Sequence, residues 1–130
     1  MILIDSNVII DIMTENPVWG EWSFNIVDSQ LDTIAINPII YAEISVKYEQ
    51  MEPLDEAIQP FKRLDLPYEA AFLAGKAFLK YRTLGGKKET PLPDFFIGAH
   101  AAILDIPLIT RDIHHYRAYF PRVKLIHPFS

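Results

Sequence analysis

Four residues, Met1 to Ile4, form an apolar run that leads straight into an acid, and this junction restricts the fold more than any other stretch of the chain. A short continuous apolar run is how a strand buried on both faces reads. Asp5, Ser6 and Asn7 are turn and helix-cap residues. Val8, Ile9, Ile12 and Met13 then recur at helical spacing. Asp5 is therefore expected at the carboxyl tip of a central strand, where a helix begins. In open α/β sheets, ligands bind in the crevice outside those tips. An acid there is either a helix cap alone or the start of a metal or phosphate site, and the junction by itself leaves both open.

The rest of the chain repeats the alternation. Val18 to Leu31 carries Trp19, Trp22, Ile26 and Val27 on one helical stripe, and Asp32 to Ile36 reads as a second strand. Asn37-Pro38 caps and starts a helix expected to run to about Glu49. Pro53 to Gln59 reads as a short helix, and Phe61 to Leu66 as a strand of imperfect alternation. A long helix opens at Pro67 and stops at Leu84-Gly85-Gly86, before a loop over Lys87 to Pro91. Pro93 to Leu104 is helical, Pro107 to Thr110 is a buried strand, Ile113 to Phe120 a helix, and Val123 to Ile126 a last strand. Strands alternating with helices imply a mainly parallel sheet covered on both faces. No repeat or linker interrupts it, so one domain over residues 1–130 is expected.

Composition removes several classes of function. With no cysteine there is no disulfide framework and no thiolate metal site, so a metal would be held by oxygen or by one of four histidines. Acids or prolines break the longest apolar runs, which excludes a membrane-spanning helix. No basic region precedes the N-terminal apolar residues, so no signal peptide is expected and a cytoplasmic location is the expectation. The net charge of −5 opposes nucleic-acid binding, but it is unevenly spread. Residues 1–75 hold 13 acids and 3 bases, whereas residues 76–130 hold 4 acids and 9 bases. Such asymmetry marks either a polyanion-facing surface or a set of ordinary solvated helix faces.

Four acids stand out against this frame. Asp5 and Asp112 follow apolar strands, and Asp94 lies in the first turn of a helix, where the helix dipole favours it. Glu43 shares a helical face with Ile39 and Ile40. A carboxylate on an apolar stripe is either paired, metal-bound or at the stripe's edge reaching water. Right-handed crossovers in a parallel sheet can bring all four to one edge. A close carboxylate cluster needs a cation to remain fully ionised, and oxygen-only ligation suits Mg²⁺ or Mn²⁺.

With these residues in place the chain resembles a PIN domain, and within that group a VapC-type ribonuclease toxin of a toxin–antitoxin pair. The stretches that carry the resemblance are Met1 to Asp11, the segment around Glu43, Pro93 to Ala101, and Leu108 to Asp112. They stand in the family's order and cover the whole chain. The resemblance implies a three-layer α/β/α fold with a five-stranded, mainly parallel sheet. It implies an endoribonuclease that cleaves single-stranded or loop RNA with Mg²⁺ (Mn²⁺ also possible). It places Asp5, Glu43, Asp94 and Asp112 in the catalytic pocket, with Asp5 and Asp94 as principal metal ligands. Ser6 and Thr110 match accessory positions that tether the first and fourth acids. A cognate protein antitoxin and a homodimer are also implied. The acidic net charge and the four histidines depart from the family's pattern. His100 reads as structural and His114-His115 as a surface pair or an RNA contact.

Lys87, Lys88 and Arg111 flank Asp94 and Asp112 in sequence, which makes them the candidate RNA contacts. Two other functions remain open. A phosphatase with Asp5 as nucleophile wants a second acid two residues on, where this chain has Asn7. A catalytically silent PIN-like module would bind RNA or protein without turnover.

Overall fold

The computed structural model describes residues 1–89 and 92–129. Apolar runs form four of the strands, and among the described residues five strands make one all-parallel sheet: β1 (Ile2–Ile4), β2 (Ile34–Ile36), β3 (Lys62–Arg63), β4 (Leu108–Ile109) and β5 (Leu125–Ile126). The spatial order is β3-β2-β1-β4-β5. β1 is thus central, and its residues Leu3 and Ile4 are fully buried with Ile34, Ile36, Leu108 and Ile109 of its neighbours. The chain leaves β1 toward β2 and later returns to add β4 on the other side. The gap between the carboxyl ends of β1 and β4 is therefore the topological switch point, the place where such sheets bind ligands. Ladder bonds from Leu3 N to Pro107 O (3.0 Å) and Asp5 N to Ile109 O (2.8 Å) set the register there.

Among the described residues seven α-helices cover the sheet: α1 (Ser6–Met13), α2 (Gly20–Ser29), α3 (Pro38–Ser45), α4 (Met51–Ala57), α5 (Tyr68–Thr83), α6 (Pro93–Leu104) and α7 (His114–Tyr119). With the right-handed crossovers that parallel sheets take, the strand order assigns α1 to α4 to one face and α5 to α7 to the other. α1 packs on α2 and α3, α5 on α6, and α6 on α7. Two of these contacts have clear local causes. α6 carries buried small residues, Gly98, Ala99 and Ala101, which let neighbours approach closely. Gly98 is required, because a Cβ there would run into the Phe120 ring at the end of α7.

Several boundaries differ from the sequence expectation, each for a physical reason. The helix expected to reach Glu49 ends at Ser45, where the Ser45 hydroxyl turns back onto Ala42 O (2.7 Å). α4 starts at Met51, so Pro53 falls in its first turn, where a missing N–H costs nothing. The expected strand over Phe61 to Leu66 pairs only at Lys62–Arg63, both exposed, because β3 is an edge strand between Pro60 and Pro67. Thr90 and Pro91 of the expected loop lie outside the described residues. No helix among the described residues is long and apolar enough to cross a membrane.

Candidate functional site

Asp5 occupies the switch point. It caps α1 by accepting a bond from Ser6 N at Oδ1 (2.8 Å), which is the structural half of its role. The other oxygen faces the end of β4. Oδ2 accepts from the Thr110 hydroxyl (2.8 Å) and from the Tyr116 hydroxyl of α7 (2.8 Å), with a longer contact to Asn7 Nδ2 (3.4 Å). Asp5 is buried, and burial pushes its carboxyl up from 3.8 to about 6, against the pull of the Thr110 and Tyr116 hydrogen bonds and with help from the nearby Glu43 charge. A cap needs none of this burial. Tyr116 is itself buried beside Asp5, which drives its phenol well above the ordinary value and keeps it a donor.

Glu43 reaches the same place from α3. Asn37 at the tip of β2 caps that helix through Ile40 N (2.9 Å), and one turn later Glu43 takes a bond from the Ser6 hydroxyl (2.9 Å). Ser6 thus bridges two carboxylates, its amide on Asp5 and its hydroxyl on Glu43. Partial burial raises the Glu43 pKa, the Ser6 bond lowers it, and the Asp94 charge raises it again. The Glu43 charge thus opposes ionisation of Asp5, and the Asp94 charge opposes ionisation of Glu43.

Asp94 sits in the first turn of α6, with Oδ2 2.6 Å from His115 Nδ1. The His115 ring is stacked on Phe95, with centroids 5.4 Å apart and planes 12° off parallel. The sequence reads His115 as half of a surface pair or as an RNA contact, and no motif marks it as a partner of Asp94. Tyr116 was equally hidden, since an aromatic in an amphipathic helix reads as core. His100 is buried and shares a 3.0 Å hydrogen bond with Asn37 Nδ2; burial lowers its pKa and favours the neutral ring.

Asp112 is placed differently from the other three acids. It lies three residues beyond β4 and is exposed, and its side chain makes no hydrogen bond among the described residues. Its backbone N–H donates to Thr110 Oγ1 (3.1 Å). The tethers are accordingly shared out in an unexpected way. Thr110 holds the Asp5 side chain and only the backbone of Asp112, while Ser6 holds Asp5 through its amide and Glu43 through its hydroxyl. Arg111, considered for RNA, makes a two-pronged ion pair with Asp11 (2.6 and 3.0 Å), whose side chain is 1% exposed, and Ser23 adds a third bond to that acid (3.1 Å). Lys87 and Lys88 are exposed.

The donor set can be tested against a divalent cation. Among the described residues, no three His, Cys, Asp or Glu side chains form a ready-made metal cluster. Mg²⁺ does not need one, because it keeps several waters and binds through one or two carboxylates. Asp5 and Asp94 each retain acceptor capacity, their chemistry is all oxygen, and a cation would favour the ionised forms of Asp5 and Glu43, which burial and, secondarily, neighbouring acidic charge oppose. The residues present fit Mg²⁺ or Mn²⁺.

A buried acid at the switch point of a parallel sheet, with Glu43 joined to it through Ser6 and Asp94 near Glu43, defines a class of α/β proteins with an acidic site at the strand ends. The chain belongs to the PIN domain family, whose model matches residues 2–121. Solved structures give the same fold. Its similarity to FitAcB from Neisseria gonorrhoeae extends over 98% of both chains at 24% identity and a TM-score of 0.75. VapBC2 from Rickettsia felis, solved bound to a DNA fragment from its promoter, aligns over 98% of both chains at 20% identity and a TM-score of 0.74. A toxin–antitoxin complex from Klebsiella pneumoniae aligns over 100% of this chain and 99% of the other, at 22% identity and a TM-score of 0.74. No curated protein matches the chain by sequence.

Proposed function

We propose that this PIN domain is a VapC-type toxin, an endoribonuclease that hydrolyses single-stranded or loop RNA with Mg²⁺ (Mn²⁺ in its place) and is inhibited by a cognate protein antitoxin. The observation that carries this reading is the buried Asp5 at the switch point, joined through Ser6 to Glu43, which in turn feels the charge of Asp94. The similarity to toxin–antitoxin complexes supports the antitoxin partner. A single domain over residues 1–130, a homodimer and a cytoplasmic location belong to the same reading.

Asp5 and Asp94 would hold the cation, which when bound would activate a water and neutralise charge on the phosphodiester. The chain's own residues do the rest. Thr110 and Tyr116 fix the Asp5 carboxylate against rotation, and Ser6 orients Glu43 toward it. Asp112 adds negative charge at the exposed rim. Lys87 and Lys88, exposed in the segment before Asp94, would hold flanking phosphates.

A binding module without turnover is the second reading, favoured by one observation: Asp112 projects from the rim with no side-chain partner among the described residues. The phosphatase reading is weaker still, because Asn7 donates to Asp5 and Thr110 where that chemistry needs an acid. The test is cleavage of a short end-labelled single-stranded RNA. Cleavage by the wild type in Mg²⁺, lost in EDTA and in Asp94→Asn, is expected. RNA retention without cleavage by the wild type at millimolar Mg²⁺ or Mn²⁺ would establish the binding module instead.

A further inference from the structure

The two acids assigned to the cation lie 89 positions apart in sequence, yet two consecutive residues of one short helix hold them. His115 bonds Asp94 Oδ2 (2.6 Å), and Tyr116 bonds Asp5 Oδ2 (2.8 Å). Neighbouring helical residues point about 100° apart, so one turn can address two sites only if its placement is fixed. Here it is fixed from both sides. The His115 ring is clamped by Phe95 face-on (5.4 Å, 12°) and by Tyr81 and Tyr119 edge-on (5.8 Å each, 72° and 71°). Gly98 of α6 lets Phe120 at the end of α7 sit where any Cβ would collide, which sets the register of α7 on α6.

The consequence is a defined choice of oxygens. Asp5 Oδ2 is saturated by two hydroxyl donors, and Oδ1 keeps one lone pair beyond its bond to Ser6 N. On Asp94, Oδ2 is taken by His115, and Oδ1 has no partner among the described residues. We propose that His115 and Tyr116 act as a positioning clasp, which turns one free oxygen of Asp94 and one of Asp5 toward a shared divalent cation. This rests on the metal-dependent reading above. Partners that orient a metal's ligands are worth about 10–100-fold in metal affinity, and the clasp predicts an effect of that size.

The experiment is a Mn²⁺ titration of the full chain by calorimetry, without RNA. His115→Phe keeps the aromatic stack and removes the bond. His115→Asn loses the stack and restores a donor at about the Nδ1 position. Tyr116→Phe removes only the hydroxyl. His115→Phe and Tyr116→Phe should each weaken Mn²⁺ binding about tenfold, while His115→Asn should stay within about threefold of the wild type. Circular dichroism confirms that each variant is folded. Wild-type affinity in folded His115→Phe overturns the clasp alone. A wild type that binds no Mn²⁺ overturns the metal reading and the clasp with it. Loss of affinity in His115→Asn as large as in His115→Phe also overturns the clasp, because the stack and not the bond would then matter. A chain that binds Mn²⁺ with this pattern but never cleaves RNA leaves the clasp standing and refutes only the nuclease.

Discussion

Replacing Asp5 by Asn should stabilise the metal-free protein above pH 6 and flatten its pH dependence. The magnitude follows from burial. The carboxyl has an ordinary value of 3.8 and rises to about 6 in the fold, so the folded state holds the proton more tightly than the unfolded state does. Stability is then fully present below the unfolded value, falls as pH rises from about 4 to about 6, and stays low above that. At ~1.4 kcal/mol per tenfold, ionising Asp5 costs the apo fold about 3 kcal/mol at pH 7.5. Asn has no proton to lose and escapes this cost. Its amide can face the Thr110 and Tyr116 hydroxyls, which rotate to accept, while its carbonyl oxygen keeps the Ser6 N–H. The exchange of acceptor for donor costs about 1 kcal/mol. A net gain of about 2 kcal/mol at pH 7.5, shrinking toward pH 4, is expected from urea unfolding in EDTA across that range. Millimolar Mg²⁺ should stabilise the wild type and not the variant. Parallel stability curves for the two proteins between pH 4 and 7.5 would refute the reasoning.

Three further perturbations separate site from scaffold. Arg111→Ala strands the buried Asp11 carboxylate and should destabilise the fold by about 2–3 kcal/mol in urea unfolding, less than a fully buried pair because Arg111 is partly exposed; an RNA-binding defect without loss of stability would contradict the ion pair's structural role. Gly98→Ala forces Phe120 aside and should cost about 1–3 kcal/mol, read as a lowered melting temperature. Replacing Lys87 and Lys88 together by Ala should weaken RNA binding across sequences and reduce the salt slope, measured by filter binding from 50 to 200 mM salt; an unchanged slope would make them ordinary surface charges.

How much of this can be read from the sequence depends on whether a residue's role is local. β1 running into Asp5 is local, since an apolar run, an acid and a cap lie within a few residues. Glu43 is visible because a carboxylate breaks an apolar stripe. The alternation of elements yields the parallel sheet, because a crossover helix is the ordinary way to join parallel strands. What escapes is set by contacts between distant segments. Arg111 meets Asp11 across 100 residues and Tyr116 meets Asp5 across 111, and neither residue type is unusual where it stands. His115 carries no motif, and only the docking of α7 on α6 places it on Asp94. Strand lengths escape as well, since β3, β4 and β5 pair over two residues each and their ends are set by the neighbouring strand rather than by composition.

The proposed nuclease activity is tested most directly by the chemistry of the ends on a cleaved RNA. If acids at the β1–β4 switch point direct a water onto phosphorus, the 2′-hydroxyl takes no part. Mass spectrometry of a cleaved single-stranded RNA should then find 5′-phosphate and 3′-hydroxyl ends, and a 2′-deoxy substitution at the scissile nucleotide should leave cleavage in place. Products ending in 2′,3′-cyclic phosphate, with cleavage abolished by the 2′-deoxy substitution, would contradict the account.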